Sequence, residues 1–211
     1  MDIMKQLKEI GIIPVVALDD VEDALPLAEA LIKGGLPAAE ITFRTDAAEE
    51  SIRRVAEAFP EMAVGAGTVL TVEQADAAIA AGAKFIVSPG LNPKVTGHVL
   101  ERGMAMLPGV VTPSEIEQAL EFGLSVVKFF PAESYGGLNT IKALAAPYHM
   151  LSFMPTGGLT PANVRDYLAD SHIYACGGTW MVKKNLIAEK RFDEICRLAA
   201  EAAAIVKEVR G

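Results

Sequence analysis

The chain has 211 residues, with 27 Asp and Glu against 19 Lys and Arg and a formal net charge of −8 at pH 7. That balance, with no basic cluster to offset it, argues against a nucleic-acid surface. Hydrophobic residues make up 51% and mean hydropathy is +0.31, yet no apolar run approaches the ~18 residues of a membrane span. The surplus belongs to a deep core or to a subunit interface.

The first element, MDIMKQLKEI, reads as a short charged amphipathic helix without the apolar region of a secretory signal. Short apolar segments then alternate with helical ones at intervals of roughly 20–25 residues, the spacing of compact βα units. In chain order the expected strands are IIPVVAL (12–18), AAEITF (38–43), MAVGAG (62–67), KFIVSP (84–89), MAMLPG (104–109), SVVKFF (125–130), LSFMPT (151–156) and HIYACG (172–177). Helical stretches such as DVEDALPLAEALIKGG, TVEQADAAIAAGA and TPSEIEQALEFG follow them. Thr71 and Thr112 suit helix N-caps, and Gly34, Gly82 and Gly123 suit helix stops. Eight such units in one uninterrupted chain predict a single-domain α/β fold over 1–211, a (β/α)₈ TIM barrel preceded by a short N-terminal helix. The alternative, an open doubly wound sheet, calls for a glycine fingerprint after the first strand, and PVVALDDVEDA offers none.

In a barrel, chemistry gathers at the carboxyl ends of the strands. Strand six places Lys128 among Val126, Val127, Phe129 and Phe130. Burying an ammonium costs several kcal/mol unless it is paired or gives up its proton. Lys128 is therefore either an amine nucleophile, aided by a second cation such as Arg44, or a lysine that snorkels to water or pairs with Glu40 or Glu133. In EITFR, Glu40, Thr42 and Arg44 share one face by period two. They either point into the barrel mouth or contribute a Glu40–Arg44 ion pair that holds the interior. PTGGLTPANV sets Gly157 and Gly158 between a strand and a helix, and ACGGTWM sets Gly177, Gly178 and Thr179 after the last strand. Such loops expose backbone N–H groups suited to a phosphate, although glycines also make plain turns. Thr68 and Pro89 close strands three and four. His98, His149 and His172 lack metal-ligand spacing, so no metal is expected. Cys176 and Cys196 give no disulfide framework, so a reducing cytoplasm is expected. Cys176 reads as a buried strand residue, and Trp180 as packing.

Taken together, EITFRT, GAGTV, SPGLNP, LPGVVTPSE, VKFFPAE, PTGGLTPANV and CGGTWM closely resemble the bacterial 2-keto-3-deoxy-6-phosphogluconate (KDPG) aldolase family, which includes 4-hydroxy-2-oxoglutarate (KHG) aldolases. The resemblance runs from about Ile12 to Ile187. It implies a cytoplasmic, usually trimeric barrel enzyme, a class I carbon–carbon lyase using a Schiff base and no metal or other cofactor. By motif, Lys128 would be the Schiff-base lysine and Glu40 the proton-shuttling acid/base. Arg44 and Thr68 would hold the pyruvate carboxylate, with Pro89 lining that site. Gly157, Gly158, Gly178 and Thr179 would take the phosphate. Many relatives have serine where this chain has Thr179; threonine keeps the hydroxyl and adds a methyl. The implied partners are pyruvate and a 2-keto sugar-acid phosphate, with KDPG, its galactonate epimer and 4-hydroxy-2-oxoglutarate as candidate substrates. The choice at C4 turns on Thr42, Thr156 and their neighbours.

Two rival classes remain at this point. A phosphosugar epimerase or isomerase would share the barrel and late-loop phosphate site but needs paired carboxylates or a metal. A non-catalytic sugar-phosphate binding protein would keep the glycine loops and has no use for Lys128 opposite Glu40.

Overall fold

A computed structural model of the chain describes residues 2–211. The elements run α1 (Ile3–Ile10), β1 (Ile12–Val16), α2 (Ala24–Lys33), β2 (Ala38–Thr42), α3 (Ala48–Ala58), β3 (Ala63–Gly67), α4 (Val72–Ala80), β4 (Phe85–Val87), α5 (Pro93–Glu101), β5 (Ala105–Leu107) and β6 (Gly109–Val110). They continue with α6 (Pro113–Glu121), β7 (Val126–Phe129), α7 (Gly137–Ala145), β8 (Ser152–Pro155), α8 (Val164–Ala169), β9 (Cys176–Gly178), α9 (Lys184–Ala188) and α10 (Phe192–Arg210). The punctuation is local chemistry. Thr71 Oγ1 accepts the Gln74 N–H, and Thr112 forms a reciprocal capping box with Glu115. Gly82 and Gly123 take positive φ after their helices. Gly34 is the C-cap of α2 with helical φ, and the positive φ falls on Gly35. A Cβ on Gly34 would come within 2.5 Å of Ala199, so that glycine lets α10 approach α2.

All strand pairs are parallel. One sheet has the order β5-β4-β3-β2-β1-β9 and the other β6-β7-β8. The two meet where β8 bridges the last segment, Phe153 opposite Ile173 and Thr156 opposite Gly177. The sequence led us to expect one strand over 104–109, but two short ones occupy it. Pro108 between them has no N–H for a ladder. Its carbonyl still accepts from Lys128 N at 2.9 Å, so the chain steps from β4's side to β7's side there. The result is a curled parallel sheet with alternating helices. The last strand also lies a few residues later than expected, starting at Cys176.

Burial forms two groups. The larger lies between strands and helices, with Ile12, Val16, Ile41, Val64, Ile86, Val127 and Phe153 facing α2 through α10. The smaller fills the inner face at the strands' amino ends: Ile13, Ala38, Ala63, Phe85, Leu107, Val126 and Met154, with Leu7 of α1 packed on them. Period-two alternation separates the two faces. It also sends the next inward positions toward the carboxyl ends, where the site lies.

Candidate active site

Glu40 and Lys128 face each other across the inner surface, on β2 and β7. Lys128 Nζ lies 3.3 Å from Glu40 Oε1, and the two side chains are 6% and 0% exposed. Nζ also sits 4.9 Å from the centroid of the Phe130 ring. Glu40 has room because Gly67, at the end of β3, has no side chain: a Cβ there would meet Glu40 Oε1 at 2.3 Å. Glu40 Oε2 is buried without a hydrogen-bond partner. A purely structural ion pair would be saturated; this one keeps an acceptor free.

The geometry shows which carboxylate Lys128 meets. Lys128 pairs with Glu40 rather than Glu133, whose carboxylate accepts from the Tyr167 hydroxyl. Burial and that carboxylate push the Tyr167 phenol well above its ordinary pKa. Glu40 does not pair with Arg44. Arg44 lies exposed just past the end of β2, and its Nε donates to Thr42 Oγ1 at 3.2 Å. Thr42 in turn donates to the Val16 carbonyl at 2.7 Å. The EITFR alternation thus puts an acid, a spacer hydroxyl and a cation in sequence up one face.

A cavity of about 250 Å³ gathers Glu40, Arg44, Thr68, Pro89, Lys128, Gly157, Gly158 and Thr179. Gly178 is not on its wall; it packs beneath Trp180, whose ring a Cβ there would meet at 2.2 Å. Thr68 has φ 57, a left-handed backbone that a β-branched residue rarely adopts. Such an outlier at a strand end points to a functional constraint. Thr156 also lines the cavity, with its Oγ1 buried and unpartnered. Gly177, Phe130, Val15 and Leu159 complete the wall, and the last three were not read as site residues from the sequence. Phe130 was within reach, being two residues beyond Lys128 on the same face. Cys176 is fully buried, and desolvation pushes its thiol up to about 12, so it is inert. A larger groove, about 990 Å³, lies at the other end of the strands between α1 and α10. Its lysines, Lys8 and Lys207, are solvent-exposed.

The glycine loop after β8 is oriented by its carbonyls. Thr156 O accepts from Ala132 N at 2.8 Å and Gly157 O from Glu133 N at 3.1 Å. Gly158 O accepts from Asn163 Nδ2 at 3.2 Å. These donors lie off the cavity wall. In a planar trans peptide the next N–H points opposite to the carbonyl. By that rule the Gly157 N–H, opposite the Thr156 carbonyl, turns toward Gly177, the bridge partner of Thr156, while those of Gly158 and Leu159 turn away from Glu133 and Asn163. Among the described residues no backbone carbonyl takes the N–H of Gly158 or Leu159. Free backbone donors beside a cavity can take an anion without a positive side chain.

A curled parallel sheet, a lysine against an acid at its carboxyl end and a glycine loop on the same cavity agree with the family the motifs suggested. The profile of the family "KDPG and KHG aldolase" matches residues 3–198. The chain belongs to the KDPG and KHG aldolase family. The 2-dehydro-3-deoxy-phosphogluconate aldolase of Haemophilus influenzae is 51% identical over 205 residues, 97% of each chain. The KHG/KDPG aldolase of Escherichia coli K12 is 41% identical over 191 residues, 90% of each. KDPG aldolase from Legionella pneumophila, solved with pyruvate captured at low pH as a covalent carbinolamine intermediate, superposes with a TM-score of 0.91 at 34% identity. It covers 95% of this chain and 97% of that one.

Proposed function

We propose that this chain is a class I aldolase that cleaves KDPG to pyruvate and glyceraldehyde 3-phosphate, and 4-hydroxy-2-oxoglutarate to pyruvate and glyoxylate. The observation that carries it is Lys128 Nζ, 3.3 Å from Glu40 Oε1, in one cavity with the glycine loop. A proton passed from Nζ to Glu40 leaves the amine lone pair free to attack the C2 ketone, giving a carbinolamine. Loss of water, with Glu40 relaying the proton, gives the iminium. Glu40 then takes the proton of the C4 hydroxyl. The C3–C4 bonding pair flows into the iminium, and the products are a neutral enamine and an aldehyde. Protonation at C3 and hydrolysis release pyruvate and restore Lys128.

Arg44 and Thr68 hold the substrate carboxylate, and Pro89 closes that side. Gly157, Gly158 and Thr179 take the phosphate, with Gly178 shaping the loop from behind. Thr156, beside Lys128, is placed to meet a substrate hydroxyl and so to bear on the choice between KDPG and its galactonate epimer. A phosphosugar epimerase fits less well, since Glu40 is the single carboxylate on the described cavity wall. We further propose that β5 and β6 are one strand of a closed (β/α)₈ barrel, broken at Pro108. The apolar surplus supports an oligomer, the family resemblance suggests a homotrimer, and the two unpaired cysteines support a cytoplasmic enzyme.

Borohydride reduction in the presence of pyruvate, followed by peptide mass spectrometry, tests the reading. A reduced pyruvyl adduct on Lys128 is expected. A folded, unmodified protein that still binds phosphosugars would return the chain to the epimerase or binding-protein class.

A further inference from the structure

Of the three carbonyls that turn the glycine loop, two are held by backbone and one by a side chain. Ala132 and Glu133 bind Thr156 and Gly157 through backbone N–H groups, which any substitution except proline leaves in place. Gly158 depends on Asn163. That residue precedes α8 yet makes no capping hydrogen bond to it. Its amide turns back instead, Oδ1 accepting the Thr160 N–H at 2.8 Å and Nδ2 donating to Gly158 O at 3.2 Å. Gly157 and Gly158 have φ 102 and 82, in the region where glycine moves with little steric resistance. A loop of that composition keeps its direction only if something ties it. Peptide planarity then makes the direction of Gly158 O decide that of the Leu159 N–H.

We propose that Asn163 is a positioning residue that sets the enzyme's preference for phosphorylated substrates. By holding the Gly158 carbonyl away from the cavity, it keeps the Leu159 N–H aimed at the anion. Asn163 is off the cavity wall and touches no reacting atom. Asparagine is required because the site uses both halves of an amide. Aspartate can accept from Thr160 but cannot donate to Gly158. The proposal rests on the aldolase reading and deepens its account of the phosphate end.

The test is steady-state kinetics of the parent, Asn163→Ala and Asn163→Asp on KDPG and on 2-keto-3-deoxygluconate, the same molecule without its phosphate. Pyruvate trapping and competition by inorganic phosphate run in parallel. Loss of the tie should lower the kcat/KM ratio of phosphorylated over unphosphorylated substrate about tenfold. The change should sit in KM, and phosphate should weaken as a competitor by the same factor. An unchanged ratio in a folded variant, or equal losses on both substrates, would overturn the proposal. Should Asn163→Ala not fold, Asn163→Asp carries the same comparison. The readings stay separable: a parent that traps no pyruvate has failed as an aldolase. A parent that traps pyruvate yet shows no phosphate preference has failed at the phosphate end, and this proposal with it.

Discussion

At the amino ends of the strands the inner face is filled by Ile13, Ala38, Ala63, Phe85, Val126 and Met154, and Leu7 of α1 is pressed fully buried against them. Two residues further along β2, β3, β7 and β8, on the same face, stand Glu40, Gly65, Lys128 and Thr156. The lower layer is closed by shape. The Phe85 ring fits because Gly65 offers no Cβ, which would otherwise lie 2.4 Å from it. The upper layer holds a buried ion pair together with Glu40 Oε2 and Thr156 Oγ1, neither of which has a partner. Buried polar atoms without partners are costly. Apolar closure below stabilises a frame on which a strained, incompletely satisfied layer can persist above.

The sharpest way to break that contrast is Lys128→Met. It makes the upper layer resemble the lower one, and turnover should fall to the uncatalysed background while circular dichroism reports the parent fold. Appreciable cleavage would defeat the nucleophile assignment. Glu40→Gln is milder, keeping shape and one oxygen. Turnover should drop by about 10²–10⁴-fold, the range for loss of a general acid/base. The pyruvate imine should still accumulate on long incubation with borohydride. Parent-like kinetics would make Glu40 a structural charge.

Below the site the expectation reverses. Leu7→Ala should cost about 2–4 kcal/mol in denaturant unfolding, as large-to-small core changes do, with kcat near the parent's. A large loss of kcat without loss of stability would mean that the two layers are coupled rather than stacked.

This layering explains what could be read in advance. Alternation in EITFR and SVVKFF revealed the inward face because charged residues interrupt apolar strands there. The helix boundaries at Thr71 and Thr112 were legible because capping is local. The break at Pro108 was less so. MAMLPG reads as one strand, and only the neighbours, β4 on one side and β7 on the other, split it. Partner choice was likewise closed to the sequence. That Glu40 would meet Lys128 rather than Arg44, and Glu133 the Tyr167 hydroxyl, depends on contacts 88 and 34 residues apart in the chain. Gly177 and Gly178 look equivalent in ACGGTWM. In the fold, Gly177 faces Thr156 on the cavity wall and Gly178 faces Trp180. A one-residue step along a strand reverses the face, and no glycine records which way it points.

The smallest effect lies within the upper layer, between its reacting and its gripping parts. Thr179 is exposed and lines the cavity with Gly157 and Gly158, at the opposite end of the motif set from Lys128. Thr179→Val keeps the branched shape and deletes only the hydroxyl. One hydrogen bond to a charged group, weakened by solvent at an exposed position, should raise KM for KDPG about three- to tenfold. Pyruvate trapping on Lys128 should proceed at the parent's rate, because pyruvate carries no phosphate for that hydroxyl to bind. Thr179→Ser sharpens the point: it retains the hydroxyl and frees the space of the methyl, so KM for the phosphorylated substrate should stay near the parent's. A change in substrate preference with Ser but not with Val would assign Thr179 to steric selection. Equal losses on KDPG and pyruvate would remove it from the gripping half altogether.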